Sequence, residues 1–125
     1  MTRYLDLNDL LDMVTLAGIG PVREPGLLES ALARPATTVL GRDAYLTLEE
    51  KAAALLHSLV KNHALVDGNK RLGLAGLIAF LGMNGWRLNW SNDDAYDFIM
   101  EISSGQLDEI AAIAGRIERA RVARP

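Results

Sequence analysis

The chain has 125 residues, half of them hydrophobic and 23% charged, with no cysteine and a formal net charge of −3. That length suits one domain with a single core burying roughly two-thirds of its unfolded surface, and the composition excludes wholesale disorder. The acidic balance leaves no electrostatic footprint for nucleic acid or an anionic membrane surface, and the missing cysteine excludes disulfides and thiolate metal sites.

Residues 1–6 place Asp6 where a signal peptide would need an apolar core. The longest uncharged run is shorter than the roughly 20 residues that cross a bilayer. A soluble cytoplasmic domain over residues 1–125 is the expectation, with no membrane partner and no direct contact with nucleic acid.

Leu7, Leu10, Leu11 and Val14 recur at helical spacing behind Asp6, and Gly18 with Gly20 ends that segment. Pro25 and Gly26 open a second helix carrying Leu27, Leu28, Ala31 and Leu32, which must stop by Arg34 because Pro35 follows. Residues 36–46 lack helical periodicity and read as a short hairpin or flap around Gly41. Thr47-Leu48-Glu49-Glu50 is a capping box that starts a third helix through Ala53, Leu56, Leu59 and Val60.

Residues 63–71 interrupt the helices, and a strongly apolar segment follows, predicting a central buried helix over about 69–84 closed by Asn84-Gly85. Trp86 to Trp90 reads as a brief extended link whose tryptophans cover the core edge. Ser91 caps a helix bearing Phe98, Ile99 and Ile102, ended by Gly105. Asp108 is expected to cap the last helix, with Arg116 to Arg124 as its solvated end. The fold class is all-α, a compact single-domain bundle around the 69–84 helix.

The stretch His63-Ala64-Leu65-Val66-Asp67-Gly68-Asn69-Lys70-Arg71 holds the most concentrated chemistry in the chain. It puts two cations into the first turn of a helix, where the macrodipole is already positive and acids would be stabilising. A local rule broken beside a well-formed core marks a functional site. The simplest reconciliation is that Lys70, Arg71 and the free N–H groups bind an anion, foremost phosphate.

Phosphoryl or nucleotidyl transfer needs a base, a metal and donors for developing charge. His63 suits the base, since imidazole accepts a proton near neutrality. Asp67 suits Mg²⁺, which takes one or two carboxylates together with phosphate oxygens and water. Gly68 permits a sharp turn and close ligand approach. Asn69 can cap the helix and still offer its amide to phosphate, and Arg71 can grip two oxygens at once. Lys61, just before the loop, is a further candidate for the phosphates. Glu29 and Arg34 are equally placed to line a pocket or to decorate a helix. His57 lies outside the motif and reads as structural. Neither a Gly-x-x-x-x-Gly-Lys nor a Gly-x-Gly-x-x-Gly pattern occurs, which removes P-loop enzymes and eukaryote-type kinases.

The nonapeptide resembles the signature loop of the Fic/Doc family, written H-x-F-x-[DE]-[GA]-N-[GK]-R. His63, Asp67, Gly68, Asn69, Lys70 and Arg71 match it, and Leu65 stands where the family has Phe. Lys70 in the penultimate position, with the run from Arg23 to Pro35, resembles the Doc (death on curing) branch. The resemblance implies His63 as catalytic base, Asp67 as metal ligand, and Gly68, Asn69, Lys70, Arg71 and Lys61 as phosphate contacts, with ATP and Mg²⁺ as cofactors. In that branch the implied activity is a toxin of a toxin–antitoxin system, a protein kinase that moves the ATP γ-phosphate to a Ser or Thr of translation elongation factor Tu. A Fic-type adenylyltransferase delivering AMP is the alternative, and a non-enzymatic binding module is a third reading. Lys70 bears on the choice, because a long cation fills space that the α-phosphate needs in the adenylylating orientation. No [ST]-x-x-x-E-[GN] inhibitory motif is present, so restraint would come from a small antitoxin protein. Leu65 predicts a functional loop seated more loosely than one with Phe.

Overall fold

Six helices carry the fold in the order α1 (Leu7–Ala17), α2 (Pro25–Ala33), α3 (Leu48–Lys61), α4 (Asn69–Met83), α5 (Asn92–Ser104) and α6 (Ile110–Ala120). The coordinates are a computed structural model that describes residues 1–125. Two small antiparallel pairs accompany the helices: β1 (Thr38–Val39) with β2 (Arg42–Asp43), and β3 (Trp86–Leu88) with β4 (Arg121–Ala123). The architecture is all-α, as the periodicity predicts, and the first pair is the hairpin expected in residues 36–46. No helix is long and apolar enough to cross a membrane.

Helix boundaries follow from their caps. Asp6 with Asp9, Thr47 with Glu50, and Ser91 with Asp94 form reciprocal capping boxes at the starts of α1, α3 and α5. Each satisfies backbone donors that a helix start would otherwise leave free. Gly18 and Gly105 close α1 and α5 in the left-handed conformation. Pro25 opens α2 at its first turn, and a single 3-10 turn, Arg34–Ala36, carries the chain past Pro35 to the hairpin.

The core lies between α3 and α4. Leu55, Leu56 and Leu59 of α3 meet Leu72, Leu77, Phe80 and Leu81 of α4, and Phe98, Ile102, Ile113 and Ile117 complete the cluster from α5 and α6. Each such aliphatic or aromatic side chain contributes roughly 1.5–3 kcal/mol by leaving water. Gly73 and Gly76 set the spacing of the two central helices. A Cβ on Gly73 would stand 2.6 Å from a methyl of Val60, and one on Gly76 would stand 2.8 Å from a methyl of Leu59. This close approach fixes both ends of the loop that joins α3 to α4.

Two expectations need correction. The tail is not a solvated helix end: α6 stops at Ala120 and residues 121–123 pair with Trp86–Leu88. The pairing turns the extended link into a strand and sets the Arg121 guanidinium 3.8 Å from the Trp86 ring centroid. Arg121 also lies 2.9 Å from the largely buried Glu49, as a charge pair without good hydrogen-bond alignment. Within α6, Arg116 is likewise committed, making a two-pronged pair with Glu101 of α5 that holds the Glu101 carboxyl below its usual range.

Asp108, finally, does not cap α6. Glu109 occupies the cap position without a side-chain bond, because Asp108 is engaged by His57, 2.8 Å away, a contact that lowers the Asp108 pKa. His57 is thereby structural, as read from sequence, and its other ring nitrogen lies 3.1 Å from Arg34.

Candidate functional site

The loop between α3 and α4 is held in place from several directions. Asn69 turns its carboxamide back on the loop, accepting from the Leu65 N–H at 2.9 Å and donating to the Leu65 carbonyl at 3.0 Å. It does not cap α4, as the sequence suggested. Gly68 stands at the cap position with φ 97, and no side chain satisfies the helix start. Residues 20–24 clamp the other side of the loop. Gly20 N–H donates to the Asp67 carbonyl, Val66 N–H to Pro21, and Arg23 and Glu24 N–H groups both donate to Ala64. Val22 and Leu65 form an isolated antiparallel bridge at the centre of this clamp.

Leu65, in the position where a Phe was expected, is only 1% exposed and belongs to the core cluster. It still acts as the apolar anchor of the loop, so the looser seating predicted for it does not follow from its exposure. Gly68 is required twice. Its left-handed backbone disfavours any L side chain, and an added Cβ would stand 2.5 Å from Cβ of Ile19. His63 also has a positive φ, of 54°. Outside glycine, that conformation costs on the order of 1 kcal/mol and is found where the surroundings impose it.

His63, Asp67, Gly68, Asn69, Lys70 and Arg71 come together as the lining of one cavity of about 280 Å³, with Val60, Val66 and Ser103. The N–H groups of Asn69, Lys70 and Arg71 begin α4 and have no intrahelical partner. No acid stands in that first turn. Arg71 and Asp67 approach to 3.7 Å with side chains 63% and 81% exposed, a contact worth little in water. Both charges thus remain available to a ligand. An apolar recess of about 360 Å³, walled by Leu74, Ala95, Tyr96, Ile99 and Met100, meets this cavity at Lys70 and Arg71. The arrangement suits a ligand with an anionic end and a flat apolar body.

Lys61 is not among the residues lining the cavity. Its ammonium donates to the Ser103 carbonyl at 3.5 Å, at the C-terminal end of α5, where a cation complements the helix dipole. Arg34 is also elsewhere, bonded to the Tyr45 hydroxyl at 3.0 Å and to Ser58 Oγ at 3.0 Å, and Glu29 is exposed on α2. No cluster of three or more His, Asp or Glu side chains is gathered anywhere. Asp67, the one carboxylate of the cavity, fits a Mg²⁺ ion whose remaining ligands are phosphate oxygens and water.

The chain as a whole is similar to known proteins. Residues 3–81 match the Fic/DOC family. The chain is also 49% identical over 118 residues to a protein of Mycolicibacterium smegmatis named Toxin Doc, covering 90% of this chain and 91% of that protein.

Proposed function

Because the chain belongs to the Fic/DOC family, we propose that it is the toxin of a toxin–antitoxin system, a cytoplasmic protein kinase that moves the γ-phosphate of ATP to a Ser or Thr of a target protein. The target we infer is translation elongation factor Tu, whose modification would block translation. The observation that carries the reading is the uncapped start of α4, with three free N–H groups and two cations opening on the cavity that His63 and Asp67 share. Those donors stabilise charge on the phosphoryl oxygens. His63 takes the proton of the target hydroxyl as its oxygen attacks the γ-phosphorus. The bond from that phosphorus to the β-phosphate oxygen breaks, and ADP leaves.

Asp67 is the residue to hold Mg²⁺, which supplies neutralising charge to the phosphates when bound. The apolar recess beside Tyr96 offers room for the base. Lys70 favours the kinase orientation over adenylyl transfer for the steric reason given above. The absence of an inhibitory motif calls for a separate antitoxin, and the acidic chain leaves any operator binding to that partner.

The test uses purified protein, Mg²⁺, elongation factor Tu and ATP labelled at the α- or γ-phosphate. Label from the γ-position alone should reach the target, and His63→Ala should lower the rate by roughly 10²- to 10⁴-fold without changing the melting temperature. Transfer of α-label would replace the kinase reading by adenylylation. Transfer of neither label would leave a binding module.

A further inference from the structure

His63 is exposed, its imidazole receives no hydrogen bond from the protein, and its backbone is left-handed at φ 54°. Whatever aims that ring must act through the main chain. The residues after it are pinned by backbone bonds, since the Ala64 carbonyl accepts from Arg23 and Glu24 and the Val66 N–H donates to Pro21. The His63 carbonyl has no backbone donor. Its partner is the side chain of Arg23, whose terminal Nη2 donates to it across forty positions of sequence.

We propose that Arg23 is a positioning residue for His63, holding the carbonyl so that the left-handed turn, and with it the direction of the imidazole, stays fixed when a target hydroxyl arrives. The guanidinium suits the task. It is always charged and directional, and its bond to a carbonyl is stronger than a neutral one. Arg23 is not part of the cavity lining, so it acts through His63 and not on the nucleotide. Its other contact is a long pair with Glu24 at 3.9 Å, both side chains about half exposed, which leaves the carbonyl of His63 as its principal bond. Once the helix of α3 has ended at Lys61, the turn at His63 is where the chain reverses toward the clamp. A ring on a freely turning residue there would sample many directions.

This inference rests on the reading of His63 as the base, so the experiment separates the two. In full-length protein, Arg23→Met keeps the aliphatic stem and removes the donors, Arg23→Lys keeps one donor group, and Glu24→Gln removes only the ion pair. NMR reads the His63 backbone through its coupling constant and chemical shifts. γ-Phosphate transfer reads kcat, and calorimetry reads the Kd for ATP with Mg²⁺. Arg23→Met should shift the His63 backbone signals toward those of an averaged conformation and lower kcat by roughly 10- to 100-fold, with the Kd for ATP unchanged. Arg23→Lys should recover part of both, and Glu24→Gln should match the wild type.

Unchanged His63 backbone signals in Arg23→Met would overturn the proposal, as would a weakened Kd for ATP that accounts for the whole rate loss. If the wild type transfers no phosphate, the kinase reading fails by itself. The backbone readout then still decides whether Arg23 sets His63.

Discussion

Helix α3 begins with Thr47 and Glu50 capping one another and with Glu49 and Glu50 in its first turn, whereas α4, packed against it, begins with an uncapped left-handed glycine and two cations. Both starts face the same electrostatic problem, a partial positive charge and unpaired N–H groups. At α3 the chain solves it internally. At α4 it leaves the donors free and adds charge of the same sign, an arrangement that an external anion would complete. On the proposed function, the capped start serves stability and the uncapped start serves binding. Substitutions at the two places should therefore separate along those lines.

The largest effect is expected at Gly68. The family pattern admits alanine at this position, but here a Cβ would meet both the φ of 97° and the side chain of Ile19 at 2.5 Å. Backbone strain and overpacking together predict a loss of roughly 2–4 kcal/mol for Gly68→Ala, measured by urea denaturation. Adding Ile19→Ala removes the methyls at 2.9 and 3.2 Å but keeps the Cβ at 2.5 Å, so it should return only part of the steric cost. A Gly68→Ala protein as stable as the wild type would mean that the loop relaxes freely, and the rigid clamp described for residues 20–24 would be wrong.

Thr47→Ala breaks the other side of the comparison. It removes the acceptor for the Glu50 N–H and the hydroxyl bond to Glu50, which typically costs ~1 kcal/mol, about 4 °C in melting temperature for a domain near this size. Affinity for ATP should be untouched. A change in ATP affinity without a change in stability would erase the distinction between the two helix starts.

How much of this was legible in the sequence divides along similar lines. Local signals carried the Thr47 capping box, the Ser91 cap, the Pro25 and Gly105 boundaries and the hairpin after Pro35, because each depends on residues within a few positions of one another. The grouping of the loop residues was also legible, since His63, Asp67, Gly68, Lys70 and Arg71 lie within nine positions and line one cavity.

What sequence could not give were pairings across distance. Arg121 on Trp86 and Asp108 on His57 each withdrew a residue from the role its neighbourhood suggested, and Lys61 contacts the Ser103 carbonyl at the cavity's edge. Asn69 shows a subtler failure. A helix-start asparagine is a good cap by type, yet Asn69 stands one position inside the helix, behind Gly68, and its carboxamide bonds Leu65 backward. Arg23 stood in a recognised run without an assigned task, and only the folded clamp brings it to His63.

The smallest expected effect on stability is the most direct test of why α4 begins as it does. In the free protein, Arg71 sits in the first turn against the dipole, a cost of ~0.3–1 kcal/mol. Its contact with Asp67 at 3.7 Å, between exposed groups, offsets little of it. Arg71→Gln should therefore leave the ligand-free protein equally stable or slightly more stable. Bound nucleotide should raise the melting temperature of the wild type by mass action, and this rise should shrink sharply in the variant because two-oxygen capture of phosphate is gone. Scanning both proteins with and without ATP and Mg²⁺ separates the two quantities. If Arg71→Gln melts much lower without ligand and retains the full rise with it, Arg71 is a structural residue. The start of α4 would then be stabilised from within like that of α3, and the contrast between the two helices would no longer point to an anion.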